Sequence, residues 1–239
     1  MDYNWNWGIL FQEPYVGWLI SGLKLTLGLA ACAWVIAFLL GSLLGILRTT
    51  RIRALRGVAT AYVELFRGVP LLLQLFLWYF VVPELLPETA GMWMKRDMPE
   101  PEFWTAVICL GTYTAARVAE QVRSGIESIG GDLEKAGLAI GLTPFQNYLH
   151  VRLPLAYRII IPPLTSEFLT IFKNSSLALT IGVLELTAQS RQIENYTFQG
   201  FEAFTAATVL YLVITMAVVA LMRLVESRTR VRGLFHGER

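Results

Sequence analysis

Several charged and strongly polar side chains of this 239-residue chain stand inside stretches that are otherwise apolar. Arg117 and Glu120 are three residues apart, on one face of a helix, with Tyr113 one turn before Arg117. Further along, Glu167 is followed by the run Lys173-Asn174-Ser175-Ser176. A charge inside a hydrocarbon layer costs about 2.5–3.5 kcal/mol on insertion scales, so such groups face other helices or a water-filled path. Two roles stay open for Arg117: an internal ion pair with Glu120, or a place in a solute pathway. Lys173 is expected to line a pathway or gate, presenting positive charge to an anionic solute, with Asn174 and Ser175 as neutral donors.

A second group of residues carries no reactive chemistry but reads as a docking surface. Ala136-Gly137, then Gly141, then Val151-Arg152-Leu153-Pro154 fall in a polar loop of about residues 128–157 between two apolar spans. The loop has helix punctuation. Asp132 is placed to cap a short helix ended by Gly141, and Thr143-Pro144-Phe145-Gln146 has the pattern of a capping box with proline at the first helical position. Phe145, Tyr148 and Leu149 would then form an apolar face for another subunit.

The elements that must position these groups follow from composition. Hydrophobic residues make up 55% of the chain and charged ones only 16%, and the apolar residues come in long blocks, which excludes an ordinary soluble domain. The blocks run from about 16 to 47, 58 to 82, 103 to 125, 159 to 183 and 204 to 225, each suited to a hydrocarbon core of roughly 30 Å. Five transmembrane helices in a single domain spanning 1–239 are therefore expected. Arg48, Arg51, Arg53 and Arg56 follow the first block, and Arg223, Arg228, Arg230, Arg232 and Arg239 crowd the tail, so both regions are placed in the cytoplasm and the N-terminus outside. Trp5, Trp7 and Phe11 suggest an interfacial belt and contradict a basic leader.

Other chemistries are disfavoured. The sequence has no Gly-rich loop ending in Gly-Lys-Ser/Thr to cradle phosphates, so any ATPase must be a partner. His150 and His236 lie far apart, and Cys32 and Cys109 sit singly in apolar blocks, which leaves no metal set and no cofactor in this chain. The basic residues belong to the topology signal, so a nucleic-acid partner is not expected. Gly22, Gly28, Gly41 and Gly45 punctuate the first block and permit close helix packing, and Pro162-Pro163 is expected to break the fourth span near its entry.

The docking-loop spacing resembles the coupling loop of permease subunits in bacterial ABC importers, whose pattern is Glu-Ala-Ala, three residues, Gly, nine residues, Ile, any residue, Leu-Pro. The spacing here is complete, with Lys135 in the place of the family's glutamate and Glu134 one position earlier. Tyr62-Val63-Glu64-Leu65-Phe66-Arg67-Gly68-Val69-Pro70-Leu71-Leu72-Leu73-Gln74 resembles the signature of the polar amino acid branch; Glu64 and Arg67 could pair there, and Gly68 with Pro70 could break the helix. Residues 115–121, 172–176 and 180–182 look most like glutamate/aspartate permeases.

This resemblance implies an all-α integral membrane protein with the type I ABC importer permease fold, N-terminus periplasmic and C-terminus cytoplasmic, in the bacterial inner membrane. It implies two partner ATPase subunits that bind ATP and Mg, a second permease that is identical or paralogous, a periplasmic substrate-binding protein, and a polar amino acid as substrate. Arg117, Glu120, Lys173, Asn174 and Ser175 would line the pathway. Ala136, Gly137, Gly141, Phe145, Tyr148, Leu149, Leu153 and Pro154 would couple to the ATPase. The rival reading is an ion-coupled carrier or channel using Glu120, Glu167 and Lys173 as a relay, which the odd span count and the missing internal repeat disfavour.

Overall fold

The first apolar block, rich in Leu and Ala and free of proline after Pro14, forms one uninterrupted helix, α1 (Tyr15–Arg48). Its 34 residues run about 50 Å, enough to cross a bilayer with a turn to spare at each end. Thr49 closes it by donating its hydroxyl to the carbonyl of Ile46 at 2.8 Å. A computed structural model describes residues 3–229; Arg230, Arg232, His236 and Arg239 lie outside the described residues.

The second block is not one straight helix. α2 (Arg53–Gly68) is followed by α3 (Leu71–Phe76), a π turn over Leu77–Val81, and α4 (Val82–Leu85), and the two halves meet at 104°. Val69 is extended, as a residue before proline prefers, and Pro70 starts the new helix direction. The elbow leaves carbonyls without helical partners, and Gln74 answers two of them, donating from Nε2 to the carbonyls of Phe66 and Val69 at 2.9 Å each. The sequence expectation of a break at Gly68 and Pro70 holds. The expected Glu64–Arg67 pair does not form among the described residues, because Arg67 turns toward Glu120 at 3.7 Å.

After α5 (Glu88–Met92) and a π turn over Trp93–Asp97, the third block forms α6 (Pro101–Glu127). The docking loop holds α7 (Gly131–Ala139) and α8 (Pro144–Asn147), and a π turn over Tyr148–Arg152 leads directly into α9 (Leu153–Ser175). A 3-10 turn over Ser176–Ile181 ends at Gly182, whose φ of 96° suits glycine alone without strain. α10 (Leu186–Thr197) and α11 (Gly200–Thr229) complete the described chain.

By length and composition three stretches suffice to cross a membrane, Tyr15–Arg48, Pro144–Ile181 and Gly200–Thr229, and the bent pair makes up to four. α6 has the length but carries Arg117, Glu120, Arg123 and Glu127, which remove it from a purely apolar test. Two details differ from the sequence reading. Pro162 and Pro163 do not break the fourth span: α9 runs through them, since its buried residues Ile160, Leu164, Glu167 and Ile171 keep helical spacing on both sides and packing holds the register. Asp132 is not the cap of α7, which starts one residue earlier behind Gly130; Asp132 sits in the first turn and pairs with Lys135 at 3.2 Å.

α1 and α6 pack along most of their length, and small residues set their separation. A Cβ at Gly41 would lie 2.6 Å from Val118 Cβ, and one at Gly45 2.6 Å from Val122 Cβ, so only glycine fits at this approach. α9 packs on the other side of α6, and the buried core runs through Leu29, Leu110, Val122, Ile160 and Ile171. Glu185, fully buried, caps α10 by accepting from the N–H of Thr187 at 2.9 Å and of Ala188 at 2.8 Å, and the Tyr211 hydroxyl on α11 donates to it at 2.7 Å.

Candidate translocation and docking sites

The polar residues of α6 point to two different neighbours. Arg117 reaches across to α9, placing Nε 2.9 Å from an oxygen of Glu167; the contact is a charge pair without hydrogen-bond alignment. Glu120 is held by Arg48 at the end of α1 and by Arg123 at 2.5 Å, with Arg67 of α2 at 3.7 Å. The internal Arg117–Glu120 pair considered from sequence is therefore not the arrangement found. Glu120 keeps an intrahelical partner three residues away, but it is Arg123 on its C-terminal side, while Arg117 is drawn across to Glu167 on α9.

These groups line a cavity of about 280 Å³, walled by Arg67, Tyr113, Arg117, Glu120, Gln121 and Glu167. Glu120 is shared by Arg48, Arg123 and Arg67, and Arg117 pairs with Glu167, so the guanidiniums around the cavity outnumber the carboxylates. The balance is weakly positive. Such a cavity suits a small zwitterionic or anionic solute.

Lys173, Asn174 and Ser175 do not line this cavity. Lys173 stands six residues beyond Glu167, about 9 Å further along α9, and because the helix starts at Leu153 it lies about 30 Å from the helix start. Lys173 is exposed and has no carboxylate partner among the described residues. Ser175 is buried and donates to the carbonyl of Phe172 at 2.7 Å, which spends its donor inside the helix.

The docking loop is built largely as its spacing predicts. Thr143 and Gln146 form the full capping box: the N–H of Gln146 reaches the Thr143 hydroxyl at 3.2 Å, and the N–H of Thr143 reaches the Gln146 side chain at 2.9 Å. Gly141 has φ of 92° and turns the chain between α7 and α8. Gly137 is buried over the amide of Asn147, where a Cβ would lie 2.6 Å from Nδ2, and that amide donates to the carbonyl of Glu134 at 2.8 Å. Arg152 adds an ion pair to Glu134 at 3.1 Å. The two short helices are thus fixed to each other.

Within the loop, Phe145 is 72% exposed and Leu149 42%, with Ala136 and Pro154 also on the surface. Tyr148 departs from the expected outer face, because it packs against the main core, as Leu153 also does, and its hydroxyl lies 2.9 Å from that of Thr49. Tyr148 joins the loop to the end of α1. Sequence reasoning missed Asn147, whose role depends on a glycine ten residues away, and read Arg48 only as a topology marker.

An all-helical chain with a polar cavity between packed helices and a rigid paired-helix surface outside the apolar region defines a membrane permease subunit. The chain belongs to the family of binding-protein-dependent transport system inner membrane components, whose description matches residues 21–231. It is similar to the glutamate/aspartate import permease protein GltJ of Escherichia coli strain K12, at 47% identity over 100% of both chains. It is also similar to the glutamine transport system permease protein GlnP of the same strain, at 31% identity over 95% of this chain and 99% of the relative. Among solved structures, an amino acid ABC transporter crystallised with histidines matches with a TM-score of 0.80 and 30% identity, over 95% of this chain and 100% of that one. Family membership makes this chain a multi-pass component of an ATP-driven importer whose ATPase is a separate subunit, and sets aside the ion-driven carrier.

Proposed function

We propose that this permease imports the acidic amino acids glutamate and aspartate across the bacterial inner membrane. The observation that carries the reading is the 47% identity over the full length of a relative named as a glutamate/aspartate import permease. Residues 1–239 form one domain, whose five spans include α6, shielded by α1 and α9. The N-terminus is periplasmic and the C-terminus cytoplasmic. In support, Arg48, Arg51 and Arg56 share one cavity with the docking loop, and Tyr3 and Asn6 contact Glu202 at the opposite end of α11 from Thr229.

The chain pairs with a second permease, identical or paralogous, and with two ATPase subunits that bind ATP and Mg. A periplasmic binding protein delivers the amino acid. Phe145 and Leu149 insert into the ATPase surface, Ala136 and Pro154 flank them, and Gly137, Gly141, Tyr148 and Leu153 fix the loop to the spans. Closure of the ATPase pair then moves the loop as a unit and switches the access of the pathway. Lys173 and Asn174 receive the solute at the outer end, Ser175 holds the end of α9, and Arg117, with Glu120 held behind it, faces the solute deeper in. Uptake of labelled aspartate by cells carrying the complex tests this: competition by excess glutamate is expected, and competition by glutamine alone would contradict it.

A further inference from the structure

A second cavity lies apart from the polar one between the spans. It measures about 680 Å³ and opens between the end of α1, the start of α2, the end of α6 and the docking loop. Four guanidiniums line it, from Arg48, Arg51, Arg56 and Arg152, against two carboxylates, Glu127 and Glu134. Both carboxylates are already engaged, Glu127 by Arg123 at 2.5 Å and Glu134 by Arg152 at 3.1 Å. Arg48 is committed to Glu120, yet its Nε is buried without a partner, as is the Nε of Arg152. Arg51 and Arg56 are exposed and have no carboxylate partner among the described residues.

An unneutralised group of guanidiniums selects anions, and the planar fork favours phosphate oxygens. Next in the chain to the cavity-lining Arg51 and Arg56, Ile52 just before α2 and Leu55 and Val58 on α2 are exposed at 59%, 41% and 71%. A phosphate site continued by an apolar strip matches a headgroup and the first part of an acyl chain. We propose that this cavity holds the phosphate of an anionic phospholipid of the inner leaflet, with Arg51 and Arg56 as its principal ligands. The inference rests on the topology given above for its choice of leaflet, and its test reads lipid retention rather than uptake.

The purified transporter complex is titrated with phosphatidylglycerol, phosphatidylcholine or inorganic phosphate, and bound lipid is counted by native mass spectrometry. Phosphatidylglycerol is expected to be retained in preference to phosphatidylcholine, and the double substitution Arg51→Gln/Arg56→Gln to weaken retention by roughly tenfold or more, two surface charges being removed. Arg51→Lys/Arg56→Lys keeps the charge and is expected to restore much of it, which separates loss of the site from loss of the fold. Displacement of the lipid by inorganic phosphate would support the phosphate chemistry with a soluble source. Equal retention of both lipids, or equal loss on Arg223→Gln at a distant surface position, would overturn the proposal.

Discussion

Arg117 of α6 and Glu167 of α9 stand 2.9 Å apart and form a charge pair between two packed helices at the wall of the polar cavity. Glu167 is almost buried, so removing Arg117 leaves a carboxylate in a poor solvent, whereas removing both leaves neutral groups. Arg117→Gln and Glu167→Gln are each expected to lower the thermal midpoint of the complex. The double substitution should lose less than the sum, with a coupling on the order of 1 kcal/mol. Additive losses in that cycle would show that the pair contributes nothing.

The α1–α6 contact predicts a steric effect with a specific remedy. Gly45→Leu places side-chain atoms where Val122 already sits, and overpacking of this kind costs about 1–3 kcal/mol. Val122→Ala in the same chain opens space at that position and is expected to recover part of the midpoint. Val122→Ala alone should destabilise by leaving a gap, so recovery in the double variant separates the clash from general damage.

At Gly141 there is open space for a side chain, but φ of 92° penalises any residue with a Cβ. Gly141→Val is therefore expected to distort the turn joining α7 and α8 while leaving the spans folded. ATP hydrolysis by the complex should persist and uptake fall several-fold. Gly141→Asn, which tolerates the left-handed region, should lie between the two. Full coupling in the valine variant would count against a rigid docking loop.

Phe145 and Tyr148 are three residues apart and should behave differently. Phe145 is 72% exposed, so Phe145→Ala is expected to weaken association of the ATPase subunit with little change in the stability of the permease alone. Tyr148→Phe removes the hydroxyl facing Thr49 and should leave association intact while loosening the loop from α1. Co-purification yield and hydrogen exchange over residues 143–152 distinguish the two.

The docking loop was legible because its signals are local: a capping box needs four consecutive residues, and Gly141 marks a turn by type alone. The elbow at Gly68 and Pro70 was legible for the same reason. The pairing of charges was not. Arg117 and Glu120 have the spacing of a helical pair, and only the tertiary approach of α9, α1 and α2 decides that each takes a different partner. Pro162 and Pro163 misled in the opposite sense, since local chemistry predicted a break that packing against α6 overrides. The π turn that joins α8 directly to α9 was not legible either, since nothing in the sequence announces such a turn.

The most direct measurement is ATP hydrolysis and amino acid uptake in proteoliposomes holding this permease, its partner permease, the ATPase subunit and the matching binding protein. The account predicts that binding protein loaded with glutamate or aspartate stimulates hydrolysis and drives accumulation of that amino acid, and that uptake stops without ATP. Accumulation that follows the membrane potential without ATP, or stimulation by neutral amino acids alone, would contradict it.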